Sequence, residues 1–457
     1  MKNTIRKITA LTLAVMTLCG GVSCGKDKPD EISDSQEKET SAEEQTSEKT
    51  EITIGMLHTN FTELQSAVSE FNMNNQQYKV VIRDYSDGKT LDEMDEAEIE
   101  NARLRMDTDV INGNSPDIIA GSMFDISSYI MGDVFTDLYD CMESYGGIAR
   151  EELIPNVAKA SELDGKLPVI MTNFMVETST AKAKHIPEEY SDWSVDDVLR
   201  TFEAIPGEMS FFFGETSVNA MASYILGDCA NDFIDYGKGT CNFDSEEFVG
   251  LLEKITSLDF DGYEQMDTEG MSVMRDKVLI NDISLNSVSQ AVYAMYCDNG
   301  EEMIFLGKPF KNGGVPLISA EELIGIPAVS SQKEGAWAFI SFLLKESVLP
   351  MDLEKRGMGI PVTESHFRSL IDADGESSIR APQSFFWMDS EKIALSEEKI
   401  TEYEEFIRSA GGSIYTAPEV RNIIWSETQS LLAGDCTAER CAQIIQNRIS
   451  IYLSEKS

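Results

Sequence analysis

The sequence predicts an α/β fold in which parallel strands are covered by helices, with two such sets following one another along the chain. Three observations carry this. Between residues 52 and 121, short β-rich runs alternate with segments of helical periodicity, an order that builds a parallel sheet. A second α/β set starts after residue 171. The alternation is irregular and shows no internal repeat, which argues against eight regular units closing into a barrel.

Ile52 to Met56 is the first strand-like run. Phe61, Leu64, Val68 and Phe71 then recur at helical spacing and place an apolar stripe on one face. Tyr78 to Ile82 is a second β-rich run, Leu91 to Val110 a highly charged helix, and Asp117 to Gly121 a third strand after Pro116. In such sheets ligands sit outside the carboxyl ends of the strands, which points to the loops 57–60 and 121–125. Gly165 to Met171 reads as a strand entered through the turn Asp164-Gly165. Ser194 is the N-cap of a helix, with Asp197 three residues on. Met209 to Phe213, Val278 to Ile280, Met303 to Phe305 and Leu323 to Val329 read as strands. Ser331-Gln332-Lys333-Glu334 is a capping box opening the apolar helix Trp337 to Leu344. The tail holds a helix from Ile423 to Leu432, ending near Gly434, and a last one with Cys441, Ile445, Ile449 and Tyr452 on one face.

The first fifty residues have a different character. Lys2, Arg6 and Lys7 precede the short apolar run Ile8 to Leu18, and small residues follow up to Cys24, the pattern of a secretory signal. The run is too short to span a bilayer, which needs about twenty apolar residues. Residues 25–50 are Lys, Glu, Asp, Ser and Thr with almost nothing apolar, a composition that cannot offset its ordering entropy and is expected to act as a solvated stalk.

The chain of 457 residues carries 80 Asp plus Glu against 37 Lys plus Arg, a formal charge of −43. Such a balance argues against nucleic acid, whose affinity comes mainly from basic contacts to phosphate, and against a basic patch on an anionic membrane. Three histidines argue against a His-rich metal site or a His-based catalytic set, and no cofactor is expected. The G-x-S-x-G, H-E-x-x-H and P-loop motifs are absent. An anchored surface hydrolase needs only two carboxylates and stays open as a competing reading. Once Cys19 and Cys24 are set aside, Cys141, Cys229, Cys241, Cys297, Cys436 and Cys441 remain. Spacing allows Cys229 with Cys241 or Cys436 with Cys441, and free thiols fit equally well.

Taken in order over residues 50–457, these features resemble the family-1 extracellular solute-binding proteins of bacterial ABC importers, the maltose- and oligosaccharide-binding group. Ile52-Thr53-Ile54 with the helix ending Ser69-Glu70-Phe71-Asn72 resembles the family's opening, and Ser115-Pro116-Asp117-Ile118-Ile119 its third strand. Asp164-Gly165-Lys166-Leu167-Pro168 resembles the G-K-x-Y-x-x-P segment where the chain first crosses between lobes, without the Tyr. Ile326 to Ser331 followed by Ala336-Trp337-Ala338-Phe339 resembles the A-W-x-F-x-x-F-L helix, and Asn422-Ile423-Ile424-Trp425 onward the closing helices. Gly21-Val22-Ser23-Cys24 resembles a lipobox with Gly21 in place of Leu, which implies a signal over 1–23, a lipidated Cys24 and a linker to residue 50. Ordinary cleavage with secretion is the alternative.

The resemblance implies a type II periplasmic-binding-protein fold of two discontinuous lobes, 51–165 with 300–346 and 166–299 with 347–457, joined by a hinge. It implies no enzyme activity. It implies a monomer, lipid-anchored on the extracytoplasmic face of the cell membrane, that hands a small solute, a sugar, to an ABC permease. A peptide or a polyamine is the other ligand class. Trp425 matches the family's stacking tryptophan and equally suits a core position beside Ile423 and Ile424. Gly121 stands where the family carries another stacking Trp, a departure that weakens the case for a long maltodextrin-like ligand. Ser122 and Asp125 follow it, and Asp125 also suits an N-cap. His58 and Asn60 lie in the loop after the first strand; Asn173, Glu215, Asp282 and Asn286 lie at strand exits of the second set. Trp387, in the aromatic run Ser384 to Trp387, suits a core or a cleft wall. Trp193 and Trp337 read as packing residues.

Overall fold

The computed structural model describes residues 49–57, 62–90, 93–121, 126–190, 192–205, 209–212, 216–261, 277–287, 303–320, 322–346, 359–376, 397–412, 414 and 418–456. The residues read from sequence as signal, lipobox and most of the stalk (1–48) lie outside them, Cys24 included. No helix among the described residues is long and apolar enough to cross a membrane. Residues 49–457 form one compact unit.

Five strands make the first sheet, in the order β2-β1-β3-β14-β4. These are β1 (Thr50–Met56), β2 (Tyr78–Asp84), β3 (Ile118–Ala120), β4 (Ile170–Met171) and β14 (Leu323–Gly325). β1 runs parallel to β2, with Ile54 opposite Ile82, and parallel to β3, with Ile54 opposite Ile118; β14 is antiparallel to β3 and β4. Helix α1 (Thr62–Asn74) packs the stripe Leu64, Val68 and Phe71 onto the buried strand residues Ile52, Ile54 and Val80. The charged helix α2 (Glu96–Ile111) begins after Asp95, later than Leu91, because Asp95 and Glu98 close a capping box there. Helices α3 (Ile126–Met131), α4 (Leu138–Tyr145) and α5 (Pro155–Ala160) follow.

The second sheet is organised around the ten-residue strand β5 (Asn173–Lys182). Its path is β10-β5-β9-β6, using β6 (Ser210–Phe212), β9 (Val278–Leu285) and β10 (Met303–Phe305). β13 (Leu317–Ser319) and β15 (Ile360–Pro361) also pair with β5. Helix α6 (Val195–Ala204) is capped by Ser194 with Asp197 as expected, and α7 (Val218–Cys229) and α8 (Glu246–Ser257) follow. Two small hairpins, β7 (Ile234–Asp235) with β8 (Thr240–Cys241) and β11 (Lys308–Phe310) with β12 (Gly313–Val315), complete the strands. The remaining helices are α9 (Lys333–Glu346), α10 (Glu364–Glu376), α11 (Glu397–Ser409), α12 (Pro418–Leu432) and α13 (Ala438–Lys456).

Strand pairing fixes where the chain passes between sheets. Met171 pairs with Leu323 in the first sheet and Asn173 with Pro361 in the second, so the first passage is at Thr172, not at 165. The strands within 303–319 pair with β5 or with each other, so this stretch stays with the second sheet, and the return lies between Ser319 and Leu323. A third passage joins α9 to β15. The reason is local: Gly165 to Val169 forms no ladder, while Ile170 and Met171 find partners on β14. One buried cluster holds Ile54, Trp337 and Phe339 together with Phe174, Ile360, Phe367 and Tyr403, so it continues across the passages. A second cluster packs Trp193, Phe202, Tyr224 and Phe248 against Cys441, Ile445, Ile449 and Tyr452 of α13.

Cys141, Cys229, Cys241, Cys436 and Cys441 are free thiols; Cys297 lies outside the described residues. Burial pushes the Cys141 thiol up to about 11 and that of Cys441 up to about 12, which keeps both protonated and unreactive.

Arg408 of α11 grips Glu364 of α10 with two parallel bonds, Nη1 to Oε1 at 2.8 Å and Nη2 to Oε2 at 2.9 Å. The guanidinium holds the Glu364 carboxyl below its ordinary 4.5. A carboxylate lowered by folding adds stability above its unfolded pKa and loses it as pH falls through the folded one. Glu364→Gln is therefore expected to cost about 0.5–1 kcal/mol at pH 7 and nothing in strong acid. Melting curves at pH 7 and pH 3 check this; an equal cost at both would refute it.

Candidate functional site

The parallel strands β1 and β3 deliver their carboxyl ends at Leu57 and Gly121. The loops that leave there carry His58, Asn60, Ser122 and Asp125, which lie outside the described residues, as do Glu215 and Trp387. At the same edge, the end of β2 forms a polar niche of about 330 Å3 lined by Asp84, Tyr85, Arg105, Thr108 and Asp109. Asp84 shapes its turn by accepting from the Ser86 amide at 2.8 Å, the Ser86 hydroxyl at 2.7 Å and the Gly88 amide at 2.6 Å. Tyr85 donates to Asp109 at 2.7 Å, and burial with this bond pushes its phenol up to about 12. Arg105 bonds Asp87 at 2.8 Å and the Tyr85 carbonyl. The sequence reading missed this niche; its signal was the turn Asp84-Tyr85-Ser86-Asp87-Gly88 immediately after a strand.

The second sheet offers a longer polar surface. Alternation along β5 puts Phe174 and Val176 into the core and turns Met175, Glu177, Ser179 and Ala181 to the other face. Register sets Ser284 of β9 opposite Glu177 and Asp282 opposite Ser179. Glu177 accepts from Ser284 at 2.8 Å and from Ser319 of β13 at 3.0 Å. Asp282 accepts from the buried Ser179 hydroxyl at 2.7 Å and pairs with Lys308 at 2.9 Å. The Lys308 side chain is 10% exposed and that of Asp282 46%, so a nearly buried ammonium holds a carboxylate whose outer edge faces solvent. Ser179 also bonds Tyr224 of α7 at 2.7 Å, and the Trp193 indole donates to the same phenol oxygen at 2.7 Å. Burial drives the Tyr224 phenol strongly upward, so it stays neutral and can donate.

Further groups border this row. Asp228, at the end of α7, has its carboxyl raised by burial and by Asp282 and Glu177, against the pull of Lys308 and Arg421. Arg421 lies one turn before Trp425 on α12, and both are exposed. Trp425 is 42% exposed, while Ile423 and Ile424 beside it are buried. Helix geometry thus separates it from the core face. Asn173 begins β5 opposite Pro361, and Asn286 follows β9; both are half-buried. Of the predicted residues that are described, Asp282 is bonded into the row, Asn173 and Asn286 stand at strand ends and Trp425 lies on a separate helix. Glu177, Ser179, Tyr224 and Lys308 were not predicted. In chemical terms the row presents hydroxyl-bonded carboxylates, Glu177 half-buried and Asp282 exposed, suited to groups that donate hydrogen bonds.

No family model matches the chain, and no curated protein matches it in sequence. Solved structures do match in fold. The sugar-binding protein of Xanthomonas citri is similar at 11% identity, with 89% of this chain and 98% of that one covered and a TM-score of 0.55. An ABC substrate-binding protein of Listeria monocytogenes in complex with cycloalternan is similar at 15% identity, with 89% and 100% covered and a TM-score of 0.51. A designed esterase is similar at 13% identity, with 90% and 100% covered and a TM-score of 0.53. The chain therefore has the type II fold of these binding proteins.

Proposed function

We propose that the chain is an extracytoplasmic solute receptor that captures a small carbohydrate between two lobes and passes it to an ABC permease. It acts as a monomer without enzymatic activity, held at the membrane by a lipid on Cys24. The observation that carries this reading is the pair of sheets joined by three passages, with a solvent-edged row of Glu177 and Asp282 on the second. A sugar offers many hydroxyl donors for such acceptors and flat C–H faces for an exposed indole such as Trp425. The binding proteins that share the fold, with sugars in their descriptions, support the same class. Ligand contact with both lobes would stabilise a closed arrangement by bending at the passages.

A designed esterase is among the structures similar in fold, so the test includes both outcomes. Thermal melts of the purified chain are expected to rise with at least one of a panel of mono- and oligosaccharides, by about 2.7 kcal/mol of stabilisation at a hundredfold excess over Kd. Hydrolysis of a chromogenic ester or glycoside with no sugar-dependent shift would overturn the reading.

A further inference from the structure

A second cavity lies at the other edge of the first sheet, where β2 begins rather than where it ends. It has a volume of about 500 Å3 and is bounded by the ends of α1 and α4, the start of β2 and the outer side of α9. Such a size falls in the range of small-molecule sites, about 300–1,000 Å3. Its aromatic lining comes from Phe71, Tyr78, Tyr145, Trp337 and Phe342. Tyr145 is 43% exposed and presents a ring no neighbour covers fully, while the Trp337 indole is fixed from below by its bond to the Gly146 carbonyl at 2.6 Å.

The polar groups of the cavity both accept and donate, with the Glu334 carboxylate, the Asn74, Asn75 and Gln77 amides and the Lys345 ammonium on its lining, a mixture that suits sugar hydroxyls, which do both. Gln77 donates to the Tyr78 phenol at 2.7 Å, and Tyr78 is in turn bonded to Glu334. Helices α1 and α4 both end at this cavity, and helix carboxyl ends carry partial negative charge and unpaired carbonyls. On the same lining, Ser341 is 5% exposed, and its hydroxyl has no hydrogen-bond partner among the described residues. A buried hydroxyl without a partner is costly.

We infer that this cavity is a second binding site, separate from the Glu177–Asp282 row, for a neutral saccharide of one or two rings. Ligand hydroxyls donate to the Glu334 and Gln77 side chains, and a C–H face lies on Tyr145. The ligand is either free sugar or the end of a glycan chain; the chemistry is the same.

The test uses the full chain with Trp425→Ala, so that binding at the first site is weakened. Titration calorimetry with maltose, cellobiose and N-acetylglucosamine is expected to show saturable binding by at least one of them. Adding Tyr145→Ala and Gln77→Ala should weaken that binding at least fivefold without changing the melting temperature. A longer oligomer that binds more tightly than its disaccharide identifies a glycan chain, and equal affinity identifies free sugar. Three results would overturn the inference. One is no binding of any of the three sugars to the Trp425→Ala chain. Another is identical titrations with and without the Tyr145 and Gln77 substitutions. The last is spermidine binding that depends on Tyr145 while the sugars do not bind.

Discussion

Trp425→Ala is expected to weaken sugar binding about tenfold or more while leaving the melting temperature close to that of the parent. An aromatic platform contributes roughly 1.4 kcal/mol or more when a flat apolar face settles on it. The structural side is unequal: Trp425 is 42% exposed, whereas Ile423 and Ile424 of the same turn of α12 are 3% and 4% exposed. Removing it therefore exposes little core. Calorimetric titration with the sugar that gives the largest thermal shift, alongside a melt of the same variant, checks both halves. A large fall in melting temperature with unchanged affinity would assign Trp425 to packing instead.

Trp193→Ala has the opposite signature. Trp193 is fully buried, sits at the unusual φ of 54° and donates its indole N–H to Tyr224 at 2.7 Å. A bulky residue persists in the left-handed region only when its surroundings hold it. Truncation leaves a cavity in the second buried cluster and removes a donor from the chain of bonds Trp193–Tyr224–Ser179–Asp282. A loss of about 3–5 kcal/mol is expected, read as a melting temperature lower by on the order of 10 °C. A loss below 1 kcal/mol would mean that the indole is not holding this cluster.

How much of this was legible in the sequence depended on whether the signal was local. The stripe Leu64, Val68 and Phe71, the Ser194 cap and the face Cys441, Ile445, Ile449 and Tyr452 all follow from spacing within one element, and each appears as predicted. Strand partners do not follow from spacing. β5 pairs with strands about a hundred residues away or more, so nothing near Thr172 announces the passage there. The polar row was hidden for a related reason. Glu177 and Ser179 on an alternating strand look like an ordinary solvent face, and Lys308 looks like any surface lysine until the fold buries it against Asp282. Asp282 was visible because it follows the apolar run Val278 to Ile280.

The pairing at Thr172 restricts how the molecule can move. With Met171 held in one sheet and Asn173 in the other, a single residue spans the first passage, and its only soft coordinates are two torsions. A lone link of this kind would act as a universal joint. The return beside it, between Ser319 and Leu323, removes that freedom. Two neighbouring links between the β4–β14 pair and the β5–β13 pair resist twist and sliding more than flexure about one line. The mechanics is that of a door leaf, in which a turn of a few degrees at Thr172 sweeps distant side chains along an arc while groups near the axis hardly shift.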